Sequence, residues 1–213
     1  MGKANTVSSW LCCPCRCLFC GLLSCIFSVV ACVLVVVGLV AIALYLLFRP
    51  HLVHATADTA DLAGFNLTPR TWILRYNLSV ALSLRNPNTR IGIHYHSVAA
   101  EAYYQGQRFA HVDLPDVDQD TGETTVVPVV FTGEFPLEGG VAAAGFRKEA
   151  IEQARFSVDL KITAKMKLKV WAFRVSGPKP RIDCPLTIQR RNASSPPGAA
   201  PPEFHPTECR VWF

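Results

Sequence analysis

Hydrophobic positions follow one period near the amino end of this chain and another beyond it. No charged residue lies between Arg16 and Arg49, and Leu, Ile, Val and Phe dominate from Ile26 to Phe48. Each such side chain favours insertion by ~0.3–0.6 kcal/mol near a helix centre, so together they contribute roughly 5–10 kcal/mol. About 20 apolar residues at ~1.5 Å rise cross ~30 Å of hydrocarbon. The run therefore predicts a single N-terminal transmembrane helix over residues 21–48. Ala41-Ile42-Ala43 resembles a signal-peptide cleavage site. Signal h-regions run only ~7–15 residues, however, and this run continues past the site, so the helix is expected to stay as an anchor.

After Arg49-Pro50 the period becomes two. Trp72, Leu74, Tyr76, Leu78, Val80, Leu82 and Leu84 share one face, while Arg75, Asn77, Ser79, Ser83 and Arg85 share the other, which is the pattern of a half-buried strand. Asn86-Pro87-Asn88 ends it, because proline lacks a ladder donor and asparagine suits turns. Ile91 to Tyr95 is a second strand. Val98–Tyr104 and Arg108–Val112 form a hairpin about Gln105-Gly106-Gln107, and Asp113–Glu123 is a loop. Thr124–Phe131 is strand-like, with Pro128 assigning it to an edge. Val141–Ala154 is the one helix expected beyond the span, with Phe146, Ala150 and Ile151 on its packed side. From Phe156 to Val170 apolar residues alternate with Ser157, Asp159, Lys161, Thr163, Lys165, Lys167 and Lys169, and Ile182, Cys184, Leu186 and Ile188 make a last strand.

Many short strands with one-sided alternation and turn signals predict an all-β fold, an antiparallel β-sandwich of the immunoglobulin or fibronectin III kind. A parallel sheet would need repeated crossover helices. The expected layout is a cytosolic Cys-rich head (1–20), the span (21–48), a membrane-proximal segment (49–70), the sandwich (71–190) and a Pro-rich tail (191–213), disordered over 192–206.

Charge and cysteine usage refine the picture. A net charge of +5, scattered along the chain, gives no basis for nucleic-acid binding. Lys3 and Arg16 precede the span, whereas Arg49 is followed by no Lys or Arg until Arg70, which favours a cytosolic amino terminus. The unblocked glycosylation sequons, at Asn66, Asn77 and Asn192, all follow the span and agree with an extracellular domain. Cys12, Cys13, Cys15, Cys17 and Cys20 stand at the edge of the hydrocarbon and are candidates for S-palmitoylation. Zinc would need a second ligand pair across a loop, which the head lacks. Met1-Gly2-Lys3 fits the myristoylation pattern loosely, with Lys3 against it. Ser24, Ser28 and Cys32 form a small-residue stripe that would allow close helix approach in a homo-oligomer.

These residues also carry a resemblance. The Cys-rich head, the span ending Leu47-Phe48-Arg49-Pro50, Tyr76-Asn77-Leu78-Ser79, Arg85-Asn86-Pro87-Asn88, Ile91-Gly92-Ile93 and Ala102-Tyr103-Tyr104-Gln105-Gly106-Gln107-Arg108 stand in one order. The chain resembles the plant NDR/HIN-like proteins, which carry a late embryogenesis abundant type 2 (LEA type 2) domain. Arg181-Ile182-Asp183-Cys184 fits the end of that domain. The resemblance implies a plasma-membrane protein with its sandwich outside, tied to defence and hypersensitive cell death, acting without catalysis through other membrane or cell-surface proteins. His94-Tyr95-His96 departs from the family pattern, which has an acidic residue in the last position.

No hydrolase elbow, zinc-protease helix, phosphate loop or dinucleotide fingerprint occurs, so neither enzyme activity nor a cofactor is expected. His94 and His96 lie two apart on one strand face and could share a metal only if a third ligand such as His111 came from a neighbouring strand. Lys161, Lys165, Lys167 and Lys169 read as a solvated face guarding against edge pairing, or as a contact for anionic lipid or polymer. Cys184 falls on the buried alternation, which favours a buried apolar thiol. The other reading is a disulfide to Cys209, worth ~3–4 kcal/mol. Three functions follow: a membrane-anchored interaction protein, a lipid-binding or lipid-transfer sandwich, and a metal-dependent surface enzyme on His94 and His96. The first is expected. An apolar cavity of ~300–1,000 Å³ would favour the second.

Overall fold

The computed structural model describes residues 13–47, 51–152, 155–170, 173–191 and 203–213. The chain divides into two compact units, Met1–Arg49 and Pro50–Phe213.

The first unit is helix α1, Cys13–Leu47. Within it Ser24–Ala43 has a mean hydropathy of 3.1 and no buried side chains. By length and composition this is enough to cross a bilayer.

The second unit is antiparallel throughout its named strands. They are β1 (His54–Leu67), β2 (Ile73–Arg85), β3 (Ile91–Tyr104), β4 (Gln107–Leu114), β5 (Val117–Gln119), β6 (Thr124–Pro136), β7 (Arg155–Val170), β8 (Phe173–Ser176), β9 (Arg181–Gln189) and β10 (Thr207–Trp212). Helix α2 (Gly140–Glu152) lies between β6 and β7. The order across the sheet is β4-β3-β7-β9-β10-β1-β2-β6, with β5 on β3 and β8 on β7. The path folds over one shared hydrophobic cluster, giving the expected sandwich. Phe65 lies at its centre, its ring 5.2 Å from Tyr104, 5.6 Å from Phe146 and 4.9 Å from Phe156.

Strands β2, β7 and β9 bury the faces that their alternation predicts. Leu74, Leu78, Val80 and Leu82 are buried on β2, and Phe156, Val158, Leu160 and Ile162 on β7. Pro128 sits on β6, which closes one edge of the path.

Five expectations need correction. Most of the membrane-proximal segment expected over 49–70 belongs to the sandwich: β1 pairs along nearly its whole length with β2, from His54↔Arg85 to Leu67↔Leu74. The sandwich also extends beyond 190, because β10 pairs with both β1 and β9. The two strands expected over Ile91–Tyr95 and Val98–Tyr104 are one, broken in register between His96 and Ala99, where Ser97 adopts φ 51°. The expected loop Asp113–Glu123 contains β5, whose Val117 and Gln119 are buried. On α2, Phe146 is buried as expected, but Ile151 is 83% exposed. The disorder expected over 192–206 lies mostly outside the described residues.

Helix α2 is fixed by the β3–β4 hairpin. Gln105 and Gly106 adopt φ of 49° and 78°, the paired positive values of a tight hairpin turn. Tyr104 then donates its hydroxyl to Glu149 on α2 at 2.9 Å. Gln107 donates to the Glu138 carbonyl and accepts from its amide, at 2.6 and 2.9 Å.

Candidate functional site: surface chemistry of the sandwich

Asn86-Pro87-Asn88 becomes a buried polar hub. Asn86 donates through Nδ2 to the carbonyls of Ile91 and Asp120, at 2.8 and 3.0 Å. Its Oδ1 accepts from the backbone and side chain of Asn88, at 3.1 and 2.9 Å. Asn88 reaches back to the start of the domain: Oδ1 accepts from His51 N at 2.7 Å and Nδ2 donates to His51 O at 3.0 Å. Both side chains are nearly sealed from solvent, at 0% and 5% exposure. A buried amide without partners costs ~1–3 kcal/mol, and this arrangement uses its amides to tie three backbone segments together. The motif therefore joins the chain's first residues in the sandwich to the β2–β3 turn and the β5 segment. Gln119, missed from sequence, extends the hub by donating to Leu84 O at 2.6 Å. Its place in a polar stretch hid its burial.

His94 and His96 stack with ring centroids 5.8 Å apart. His94 Nδ1 lies 3.0 Å from Asp118 Oδ1, and Nε2 lies 3.9 Å from Asp116 Oδ2. Lys169 also donates to Asp118, and this bond, ahead of the one from His94, holds the Asp118 carboxyl below the ordinary range. His111 does not join them. It sits opposite Glu101, with Nδ1 3.6 Å from Oε1, and its Nε2 is 3.5 Å from Asp113. Hydrogen bonds from Arg108 and then Tyr103 keep the Glu101 carboxyl low. Among the described residues no three His, Cys, Asp or Glu side chains converge as metal ligands. The geometry gives the metal-enzyme reading no third ligand.

Cys184 and Cys209 form a disulfide, with Cα atoms 4.4 Å apart. This corrects the expectation of a buried thiol, and both residues remain in the core, at 1% and 7% exposure. The bridge joins β9 to β10, each of which offers only a three-residue ladder to the other.

Of the sequons, Asn66 and Asn77 point outward on β1 and β2, and both are exposed. Arg190 donates to Asn66 Oδ1 at 3.2 Å. Asn192 lies outside the described residues. Among the head cysteines, Cys12 also lies outside them, and Cys13, Cys15, Cys17 and Cys20 are described as backbone of α1 only.

The apolar cleft between the sheets, lined by Leu82, Leu84, Tyr95, Val117, Ile162 and Ile182 among others, encloses about 20 Å³. That is room for about one water, far below the ~300–1,000 Å³ of a site for a larger ligand. The close packing of this core opposes the lipid-transfer reading.

Comparison with known proteins agrees with the motif reading. Residues 81–183 match the family described as Late embryogenesis abundant protein, LEA_2. NDR1/HIN1-like protein 3 of Arabidopsis thaliana is 32% identical over 90% of this chain and 81% of its own length. NDR1/HIN1-like protein 10 of the same plant is 31% identical over 78% of this chain and 73% of its own length. The aligned region thus takes in the Asn86–Asn88 hub and the β3–β4 hairpin that the structure shows to be the joints of the fold, and the chain belongs to the NDR1/HIN1-like family of LEA type 2 proteins.

Proposed function

We propose that this chain is a membrane-anchored protein of the plant defence response, including hypersensitive cell death. Ser24–Ala43 spans the plasma membrane, the amino terminus is cytosolic and the sandwich is extracellular. There it acts without catalysis, by interaction with other membrane or cell-surface proteins. The observation that carries the orientation is the Cys184–Cys209 disulfide, since disulfides persist in oxidising compartments and are rare in the cytosol. The exposed sequons Asn66 and Asn77 lie in the same unit. The defence role is supported by family membership. The interaction role is supported by a tightly packed core between the sheets, with room there for about one water.

Expressed in plant cells, the protein should lose apparent mass on endoglycosidase treatment, and Asn66→Gln/Asn77→Gln/Asn192→Gln should abolish that loss. A tag after Phe213 should be cleaved by protease on intact cells, and a tag before Met1 protected. The reverse protection pattern would invert the orientation and sink the proposal.

A further inference from the structure

Exposed large aliphatic side chains occur on several elements of the β unit, Val126 and Val130 on β6 and Val141 and Ile151 on α2 among them, but the exposed aromatic ones do not. Among the described residues of this unit the exposed large aromatics are Phe173, Trp212 and Phe213, at 70%, 54% and 52% exposure. With exposed Leu52 and Val175, they lie toward the end of the sandwich that receives the chain from α1, Trp212 level with Arg181 and Thr163 and Phe173 level with Val170, seven residues farther along β7. Hydrogen bonds and register place them there. Leu52 follows His51, which the Asn88 side chain holds. Asn88 bonds Asn86, Asn86 bonds the Ile91 carbonyl, and Ile91 pairs with Val170 at the end of β7. Phe173 pairs with the same Val170. Strand β10 runs antiparallel to β1 with Cys209 opposite Ala55, so Trp212 and Phe213 run toward the residues that precede His54. Clustered exposed apolar groups rimmed by polar ones mark a contact surface.

The rim is basic. Lys165 and Lys167 point outward from β7, Arg174 on β8 lies opposite Lys169, and Arg181 on β9 lies opposite Trp212. All four of Lys165, Lys167, Arg174 and Arg181 are exposed, and among the described residues none has an ion-pair partner. Farther along the same face the charges balance, since Lys161 lies between Glu101 and Asp183. Trp212 shares a face with Arg181, while Phe173 and Val175 alternate with Arg174 along β8, and aromatic rings near long cationic side chains suit a membrane–water interface, where rings enter the headgroup region and cations meet lipid phosphates.

We propose that this end of the β unit docks onto the surface of the bilayer in which α1 is anchored. Phe173, Trp212, Phe213, Val175 and Leu52 enter the headgroup–acyl boundary, and Lys165, Lys167, Arg174 and Arg181 meet phosphate and anionic headgroups. The proposal rests on the membrane anchoring inferred above. Residues 48–50 link Leu47 to His51, and at ~3.6 Å per residue the tether is at most about 15 Å long. Such a short link keeps the surface at high effective concentration near the bilayer, so weak contacts suffice.

The test uses the full chain in nanodiscs of phosphatidylcholine, alone or mixed with phosphatidylserine, carrying bromine at shallow acyl positions. The Trp212 signal is the fluorescence difference between wild type and Trp212→Phe. Quenching of that component is expected, stronger with phosphatidylserine, and lost in Lys165→Glu/Lys167→Glu/Arg174→Glu. Far-UV circular dichroism and an intact disulfide check that the variants fold. Resistance to alkaline extraction reports separately on α1. A chain that resists extraction while its Trp212 component stays unquenched would overturn docking and leave the anchor standing. A chain extracted by alkali would overturn both. Quenching unchanged by charge reversal would remove the cations from the proposal.

Discussion

Replacing Cys184 and Cys209 together by Ala removes the bridge between β9 and β10. The cysteines are 25 residues apart, so the chain-entropy relation gives about 12 cal/mol/K, or about 3.5 kcal/mol at 25 °C, gained by the denatured state. Truncating two core sulfurs beside Leu160 and Ala55, their ladder neighbours, adds about 1 kcal/mol for the space left behind. The β unit spans Pro50–Phe213, roughly 160 residues, and unfolding entropy of ~2.1 cal/mol/K per residue converts the sum to a fall in Tm of about 10–15 °C. Near-UV circular dichroism of the full chain in nanodiscs should follow it, because the packed rings of Phe65, Tyr104 and Phe156 lie in this unit. Hydrogen exchange should also accelerate at Ala55–Ala57 and Arg181–Asp183, the residues that β10 bridges, before it does so in the long β2–β6 ladder. A shift below about 2 °C, or maleimide labelling of Cys184 in folded, unreduced wild type, would refute the reasoning.

Leu82→Ala and Leu160→Ala each empty a buried site and should cost ~2–5 kcal/mol in denaturant unfolding, whereas outward-facing Ser157→Ala should stay within ~0.5 kcal/mol; equal costs would mean that the faces are misassigned. The Asp118 carboxyl is held below its ordinary pKa by Lys169 first and His94 second. Its contribution to stability is therefore present above the unfolded-state pKa near 3.9 and lost as pH falls through the lower folded value. Carbon-detected NMR titration should place Asp118 below the other exposed aspartates, and Lys169→Gln should raise it toward them; no movement would break the assignment.

Much of the fold was legible because period-two alternation survives wherever a strand keeps one face buried without interruption. Strands β2, β7 and β9 are such cases, and the apolar run of α1 is equally plain. Strand β1 escaped notice because its register shifts twice, between Ala57 and Thr59 and between Leu62 and Gly64. Each shift moves the inward residues to the other parity, from Ala55 and Ala57 to Ala60 and Leu62 and then to Phe65, so no single alternation runs through the segment. Strand β10 is six residues long and follows a Pro-rich stretch, too short for a periodic signal, and only its neighbours on both sides make it a strand.

The surface chemistry divides in the same way. Motif order alone identified the family, because Asn86-Pro87-Asn88 and Tyr103-Tyr104-Gln105-Gly106 are local strings. What those residues do is set by contacts distant in sequence: Asn88 meets His51 across 37 positions and Tyr104 meets Glu149 across 45. Pairing of Cys184 with Cys209 depends on β10 returning beside β9, and the isolation of His111 from His94 depends on which strand each residue faces. Sequence by itself determined which segments must hide from water and which can cross a bilayer, since those follow from local composition and period. Tertiary structure alone decided the closed core, the hub and the bridge, because each needs residues far apart in the chain to meet in contact.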